Sequence, residues 1–365
     1  MVAWVLRFVI AVVVFMFLEL ILYKIFAFKG LKYDRHLSST EVFEGDQIEL
    51  LEIIENRKIL PAPWLIAEIG LGQNINIVDR PGIYISHKEY VRSMFSIMPF
   101  SSVRRHNKII CKKRGEYNLN SVYLYTSDLL GLSSNMHKHV EVDANLLVYP
   151  KPLPPEQINL PSHGWLGDVI VRRFVLEDPF FKAGTRDYRI GDPLNRVSWK
   201  ATARVGSLQT YNCEFTAQSK LSIVFNVELS PFQYTTADEL SKRIIDYCVA
   251  AAATIAQKAL IAGISVGFIS NAKNQVNSNA LENVPVNSGA GQYYTILGQL
   301  ARLDYNITCS FYRMLLEILE KKTHGEDYFI LTVFMDEKAE ELISKIRSQG
   351  NNVEVMNVGS EVLTD

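Results

Sequence analysis

The chain has few cysteines and almost no excess of charge. Its 365 residues include four cysteines, none in a Cys-x-x-Cys pair, which argues against a paired-thiolate zinc site and a dense disulfide framework. Lysine and arginine number 38 against 39 acidic residues, so the net charge is −1. A chain this balanced does not bind nucleic acid through a basic overall surface, and we expect no nucleic-acid partner.

Several catalytic signatures are also missing. The sequence has no Gly-x-x-x-x-Gly-Lys-[Ser/Thr] loop to hold ATP, and neither His-Glu-x-x-His nor Gly-x-Ser-x-Gly to supply a metal-bound water or a nucleophile. We therefore expect a protein that is not an enzyme and has no cofactor or catalytic residue of its own.

One long apolar run lies at the amino end. Residues 2–28 are interrupted only by Arg7, Glu19 and Lys24, and a helix of about 20 apolar residues crosses about 30 Å of hydrocarbon. No basic segment precedes the run and no Ala-x-Ala-like site follows it, which favours an uncleaved anchor over a signal peptide. Basic residues follow the span, among them Lys29 and Lys32. This bias predicts a single-pass protein of the cell membrane whose soluble part is cytoplasmic.

The rest of the chain changes its pattern twice. Short alternating runs predict an antiparallel β-sandwich over residues 31–148, after an anchor over 1–30. A proline-rich connector and a motif region follow over 149–219. Strands then alternate with long helices over 220–365, which predicts a mainly parallel, doubly wound α/β domain. The expected fold class is a multidomain α+β protein. Within the last domain, the segment from Asn271 to Gly291 is rich in Asn, Ser and Gly and predicts a loop.

The densest group of unusual residues lies between Ala183 and Arg204. Gly191-Asp192-Pro193 predicts a helix start, because Asp caps free amides and Pro suits the first helical position. A helix over 193–203 would align Arg196, Lys200 and Arg204 at intervals of four. Like charges at this spacing repel, so the stripe needs an acidic counterpart. The candidates within the chain are Glu177, Asp178, Asp187 and Glu214.

Three interpretations of this basic stripe remain open. It is an internal ion-pair network between domains, a docking surface for an acidic partner with Trp199 as its anchor, or the site at which a binding protein or an enzyme holds an anionic ligand. The last interpretation adds Arg186, Asp187 and Asp192, since Arg and Lys beside carboxylates hold phosphate or carboxylate groups.

These residues resemble a known bacterial family, the "domain of unknown function 58" proteins. The family pattern is close to R-x-Y-x-x-G-D-x-x-[RN]-x-[IV]-x-W-K-x-x-A-R. Ten residues occupy it here: Arg186, Tyr188, Gly191, Asp192, Asn195, Val197, Trp199, Lys200, Ala203 and Arg204. The resemblance also covers the anchor and short phrases at 42–46, 114–117 and 127–132. Many members have two adjacent spans and a basic residue in place of Asn195.

The resemblance implies a membrane-tethered protein whose carboxy-terminal half is similar to a von Willebrand factor type A domain. Members are commonly linked to MoxR-type AAA+ ATPases, so the implied role is a partner or adaptor of such an ATPase. The binding residues that it implies are Arg186, Tyr188, Gly191, Asp192, Arg196, Trp199, Lys200 and Arg204.

Type A domains often hold Mg²⁺ through an Asp-x-Ser-x-Ser motif after the first strand. Asn226, Glu228 and Ser230 stand at these positions here, and Asp336 lies two residues beyond the place of a later acid. Because an amide replaces the leading carboxylate, we expect the metal site to be degenerate and no metal to bind.

Overall fold

The computed structural model describes residues 2–78, 83–86, 90–131, 136–154, 182–189, 197–213, 220–230, 238–274 and 281–358. The chain divides into two compact units, Met1–Lys151 and Pro152–Asp365. The boundary falls in the proline-rich connector.

A long apolar helix, α1 (Val2–Phe26), begins the amino-terminal unit. Within the described residues two helices are long and apolar enough to cross a membrane, 4–26 and 239–261. Only 6% of the first is buried inside the protein, against 61% of the second. The first therefore has an apolar surface that no protein covers, whereas the second is the core helix expected from the sequence.

The rest of this unit consists of strands with alternating burial, as the sequence pattern predicts. The strands are β1 (Leu31–Leu37), β2 (Glu41–Phe43), β3 (Gln47–Asn56), β4 (Ala62–Gly70), β5 (Ile75–Ile77), β6 (Ile83–Ser86), β7 (Tyr90–Ile97), β8 (Ser101–Cys111), β9 (Gly115–Asn118), β10 (Ser121–Thr126), β11 (Met136–Glu141) and β12 (Asn145–Tyr149). They form sheets of order β1-β3-β8-β5, β11-β10-β4-β7-β6 and β2-β12-β9. Only the β2–β12 pair among them is parallel.

Residues of the two larger sheets share one core. Tyr33 and Ile54 from the first sheet cluster with Leu65, Phe95 and Leu124 from the second. This shared core is what the predicted sandwich requires.

A charged network links the two larger sheets. Glu52 and Arg35 are both fully buried. One carboxylate oxygen of Glu52 accepts from the Tyr33 hydroxyl at 2.8 Å, and the other accepts from Asn107 Nδ2 at 2.6 Å and Ser93 Oγ at 3.2 Å. Arg35 donates to the same Tyr33 hydroxyl at 3.0 Å. The buried charges are thus bridged by hydrogen bonds, as burial requires.

The carboxy-terminal unit begins with the motif region and continues with a mixed sheet. The motif region contains β13 (Lys182–Asp187), α2 (Trp199–Val205) and β14 (Gln209–Cys213). The later elements are β15 (Lys220–Phe225), α3 (Glu239–Ile261), β16 (Ser265–Ser270), β17 (Ala272–Asn274), β18 (Glu282–Asn287), α4 (Ala290–Arg302), β19 (Leu303–Ile307), α5 (Phe311–Glu320), β20 (Glu326–Thr332), α6 (Glu337–Ser348) and β21 (Asn352–Asn357).

The main sheet of this unit has the order β18-β16-β15-β20-β21. Four strands are parallel and β18 pairs antiparallel with β16. Strand β15 is buried along Leu221–Phe225 and apolar there except at Ser222, which is typical of a strand covered on both faces. Helices α5 and α6 contribute Leu315 and Ile343 to one core cluster with Val224 of β15 and Ile330 of β20.

The predicted loop from Asn271 to Gly291 is wrong in part. It contains β17 and β18, while residues 275–280 lie outside the described part of the chain. In β18, Glu282 and Val284 are buried and Pro285 is exposed on an edge strand, where a missing amide hydrogen is tolerated. Pairing with β16 outweighs the loop-like composition.

Candidate functional site

The motif region is held together by backbone hydrogen bonds between segments distant in sequence. Strand β13 pairs antiparallel with β14, with Arg186 opposite Thr210 and Asp187 opposite Gln209. The chain leaves this ladder through Tyr188, whose amide donates to the Leu208 carbonyl at 2.9 Å. It rejoins β14 through a bridge between Val197 and Thr210. The two ends of the motif are thereby brought to one short strand.

Helix α2 is capped at both ends. The Ser198 hydroxyl accepts from the Ala201 amide, which satisfies a free donor of the first turn. Gly206 adopts φ +77°, which suits a residue without Cβ, and its amide donates to the Thr202 carbonyl at 2.9 Å. The Gln209 amide donates to Thr202 Oγ1 at 3.0 Å. Since none of the seven residues of α2 is buried, caps and neighbouring strands stabilise this helix instead of a core.

The surface of α2 combines an aromatic side chain with two cations. Trp199 is 68% exposed, and Lys200 and Arg204 are exposed one helical turn apart. Val205 and Leu208 add exposed apolar surface beside them. An exposed Trp flanked by aliphatic side chains and cations is typical of a protein-binding surface. We call these five residues the motif-helix surface.

The predicted helix over 193–203 is wrong at Val197 and Ser198, while residues 193–196 lie outside the described part of the chain. Val197 lies in the bridge to β14 and Ser198 is the N-cap, so the helix starts at Trp199. Ser198 is the better cap because its amide also donates to the Gln209 carbonyl, at 2.7 Å. Of the described residues of the predicted stripe, Lys200 and Arg204 lie on α2.

The other predicted site residues divide into two groups. Arg186 is exposed and donates to the Asp187 carbonyl at 3.2 Å, while Tyr188 is half-buried. The side chain of Asp187, a predicted acidic counterpart, accepts from Gln209. The remaining residues lie outside the described part of the chain: Gly191, Asp192, Arg196, and the candidate acids Glu177, Asp178 and Glu214.

A second polar cluster lies at the carboxyl ends of the parallel strands. Asn226 follows β15, Asn271 follows β16 and Thr332 ends β20. Asn226 Nδ2 donates to Thr332 Oγ1 at 2.9 Å, and Asn226 Oδ1 accepts from Asn271 Nδ2 at 2.8 Å. All three residues are fully buried. Ligands bind at this edge in open α/β sheets, so we call it the sheet-edge cluster.

Glu228 connects the sheet-edge cluster to the next helix. Its Oε2 accepts from the Phe311 amide at 2.6 Å, at the amino end of α5. Its own amide donates to Asn226 Oδ1 at 3.0 Å. A carboxylate at a helix amino end is favoured by the helix dipole. Glu228 therefore joins β15 to α5.

A cleft of about 570 Å³ opens beside Glu228. Its lining includes Ser310, Asp336, Glu341 and Lys345. The Lys345 ammonium donates to the Glu341 carboxylate at 2.7 Å, which lowers the pKa of Glu341 from its ordinary value and raises that of Lys345. The cleft therefore carries charges of both signs.

The donors in this region do not fit a magnesium ion. Asn226 directs its amide nitrogen to Thr332, and a nitrogen donor with hydrogens cannot ligate a cation. Asp336 Oδ1 accepts from the Ala339 amide as the N-cap of α6, and Ser230 is exposed. Among the described residues, no group of three His, Cys, Asp or Glu side chains is placed to hold a metal. The Asn226 amide supplies the internal hydrogen bond that links the strand ends.

Sequence reasoning missed part of this cluster. The sequence pattern predicts a loop at Asn271, whose side chain belongs to the cluster. The contact of Glu228 with α5 uses a backbone amide, which no sequence motif indicates. The available signal was the position of polar residues directly after buried strands, since parallel strands end at one edge.

The comparisons with known proteins bear on the motif region and the sheet. The family described as "Protein of unknown function DUF58" matches residues 184–360. The match covers the motif-helix surface and the sheet-edge cluster. The DUF58 description assigns no activity.

One curated relative is similar over most of the chain. The "Uncharacterized protein YeaD" of Bacillus subtilis (strain 168) is 23% identical over 266 residues, which are 71% of this chain. The matched part spans 61% of that relative, so about two fifths of its length lies outside the match.

The solved structures found are distant. The CARDB domain of the PF1109 protein from Pyrococcus furiosus is 11% identical with a TM-score of 0.22, covering 33% of this chain and 96% of that domain. BslA, a bacterial hydrophobin, is 8% identical with a TM-score of 0.23, covering 33% of this chain and 95% of its own. At these scores the likenesses say nothing about activity.

Proposed function

We propose that the protein is a membrane-anchored, non-enzymatic adaptor whose motif-helix surface docks a protein partner. The observation that carries this proposal is Trp199, 68% exposed on a helix that is capped at both ends. Exposing a large aromatic side chain to water is unfavourable, and binding a partner that covers the side chain removes this cost. Its neighbours Lys200 and Arg204 favour a partner with an acidic surface.

The membrane part of the proposal rests on α1. Its apolar surface is uncovered along most of its length, and basic residues follow it. In our proposal α1 spans the cell membrane once and the soluble part faces the cytoplasm, as the charge bias favours.

The carboxy-terminal unit supports a type A-like, doubly wound scaffold. Counted in chain order, the strands of its main sheet lie 3-2-1-4-5, which is the order of doubly wound sheets. Only the third, edge strand is antiparallel. In our proposal this scaffold presents the motif-helix surface and has no metal-dependent ligand site.

The partner that we propose is a MoxR-type AAA+ ATPase. The DUF58 resemblance of the motif region implies such a partner, and the chain lacks an ATP-binding loop of its own. In this proposal the ATPase supplies the nucleotide chemistry, while this protein holds it at the membrane.

Affinity capture from detergent-solubilised membranes tests the proposal. We expect wild type to recover an AAA+ ATPase and a Trp199→Ala, Lys200→Glu, Arg204→Glu variant to lose it. All three side chains are exposed, so the variant should unfold at the wild-type temperature. Tyr294→Ala, an exposed aromatic on α4, is the matched control and should keep the partner.

Two other results would contradict the proposal. Equal recovery by wild type and the triple variant would place the interface elsewhere. Stabilisation of wild type, but not of the variant, by inorganic phosphate would favour the anionic-ligand interpretation.

The orientation is tested separately. Asn283 is exposed in β18, and an introduced cysteine there should resist a membrane-impermeant thiol reagent in intact cells but react after lysis. Labelling in intact cells would reverse the proposed orientation.

A further inference from the structure

Loops of the amino-terminal unit surround the carboxyl end of α1. The Tyr23 hydroxyl donates to the Pro61 carbonyl at 3.1 Å, and Glu19 Oε1 accepts from the Leu129 amide at 2.8 Å. The Lys58 ammonium donates to the Phe26 carbonyl at 3.0 Å, so it caps the helix end. Segments 57–61 and 127–131 are thus fixed against the helix.

A third loop joins them through an amide side chain. Asn56 Nδ2 donates to the Leu60 carbonyl at 2.9 Å and to the Met98 carbonyl at 3.1 Å. Asn56 is itself buried. Segment 98–100 therefore lies beside segment 57–61 at the same end of the unit.

The tips of these three loops carry large apolar side chains in water. Ile59, Met98 and Phe100 are between 69% and 76% exposed, and Leu129 and Leu130 are half-exposed. A group of this kind on a soluble surface marks an interaction site. We call these five residues the loop-tip patch.

The position of the patch along α1 decides what covers it. The apolar stretch of 23 residues from Trp4 to Phe26 is about 35 Å long at 1.5 Å per residue. Glu19, which Leu129 contacts, lies seven residues before Phe26, or about 10 Å along the axis. A bilayer that covers this stretch therefore reaches the loop carrying Leu129 and Leu130. Interfacial elements bury their apolar side chains about 5–10 Å deep, which matches this overlap.

Charge at the same end also fits a lipid surface. Lys24, Lys29 and Lys32 are exposed where α1 passes into β1. Cations beside an apolar patch fit a bilayer with anionic headgroups, because the ammonium groups stay at headgroup level while the apolar tips enter below them. A water-soluble protein partner would have to compete with the membrane for this space.

We propose that the loop-tip patch inserts into the headgroup–acyl boundary of the same bilayer that α1 spans. The inference rests on the proposed anchoring by α1. Attachment through both α1 and the loop-tip patch fixes the orientation of the amino-terminal unit on the membrane. Attachment through one helix alone does not. The buried Glu19 carboxylate is then covered by protein and not by lipid.

Spin labels on the full-length protein test the insertion. Leu130→Cys and Met98→Cys carry the label in the patch, and Glu141→Cys is the matched exposed control, in a background with Cys213 and Cys309 replaced by serine. Glu141 is the last residue of β11, about 17 Å along the strand from its first residue, which is the end nearer to the patch. The protein is reconstituted in vesicles of phosphatidylcholine and phosphatidylglycerol. The measurement is collision with oxygen, which concentrates in lipid, against a water-soluble nickel chelate.

We expect the oxygen-to-nickel ratio at positions 98 and 130 to exceed that at 141 severalfold. Equal ratios at all three positions, in protein that resists alkaline extraction, would overturn the insertion and leave the anchor intact. Release of the protein by alkali would refute the anchor and, with it, the insertion. An Ile59→Cys label provides an independent reading from the third loop, so misfolding of one variant leaves the proposal testable.

Discussion

Replacing Asn226 by aspartate tests why the sheet-edge cluster holds no metal. Asn226 Nδ2 donates to Thr332 Oγ1 at 2.9 Å, and an aspartate has no hydrogen to donate there. Losing this buried hydrogen bond costs about 1–3 kcal/mol. The new charge is fully buried and close to Glu228, so we expect Asn226→Asp to lower the free energy of unfolding by about 3–5 kcal/mol in total.

The loss of stability in Asn226→Asp also depends on pH. Burial raises the pKa of the new carboxyl in the folded state above its unfolded value of about 3.9. The folded variant therefore binds its proton more tightly than the unfolded chain. Its stability relative to wild type is therefore highest below about pH 3.9 and is lost as the pH rises from there through the folded pKa.

The assay is thermal unfolding of the full chain in detergent, with hydrogen exchange of segments 221–230 and 326–334 as a local reading. Ser230→Ala at an exposed position is the control, expected to change stability by less than about 0.5 kcal/mol. Magnesium should not stabilise wild type. An Asn226→Asp variant as stable as wild type, or a wild type stabilised by magnesium, would refute the account of this cluster.

Three further predictions concern stability and reactivity. In chemical denaturation, Glu52→Gln should lower the free energy of unfolding by about 3–5 kcal/mol, because it removes the negative charge near the buried Arg35. The control is Glu55→Gln in the same strand, which should lower the free energy of unfolding by about 1 kcal/mol or less. Gly267→Ala would place a Cβ 3.0 Å from the Val284 carbonyl oxygen of β18, and it should lower the free energy of unfolding by about 1–3 kcal/mol in thermal unfolding. The Cβ of Gly291→Ala in α4 meets no atom within 4 Å, so this control should be neutral or stabilising. Burial raises the pKa of the Cys248 thiol to about 12, so the thiol should not be alkylated at neutral pH until the protein unfolds. Mass spectrometry measures the alkylation, and rapid labelling of Cys248 in the native protein would contradict the prediction.

The strand and helix pattern of the carboxy-terminal unit was readable from hydrophobic periodicity. The alternation of strands and long helices predicted after residue 220 is observed, with a strand at Lys220–Phe225 followed by a helix at Glu239–Ile261. Both are long or strongly apolar segments, in which local pattern and tertiary burial agree. Asp238 caps the helix by accepting from the Ser241 amide, which satisfies a free donor of the first turn.

The errors came from contacts between distant segments. Strand β18 exists because β16 lies beside it, and a sequence of Asn, Ser and Gly carries no sign of that neighbour. The predicted helix over 193–203 fails at Val197 because Val197 pairs with Thr210, thirteen residues later. In both cases a backbone ladder outweighed the local preference.

The placement of the candidate site residues was partly predictable. The sequence predicts that Trp199, Lys200 and Arg204 lie on or next to one helix, and the structure has all three exposed on α2. The bond from Phe311 to Glu228 was not predictable, since any residue supplies the same backbone amide. The loop-tip patch was also hidden, because its members lie up to about 70 positions apart in the sequence and meet only where the strands end.

Site-specific photocrosslinking in intact membranes tests the central claim most directly. A photoreactive amino acid replaces Trp199 in the full-length protein, and the same group at Tyr294 is the control. The adaptor account predicts that an AAA+ ATPase is crosslinked from position 199 and not from position 294. Crosslinking of the ATPase from 294 alone, or from neither position, would contradict the claim that the motif-helix surface is where the partner docks.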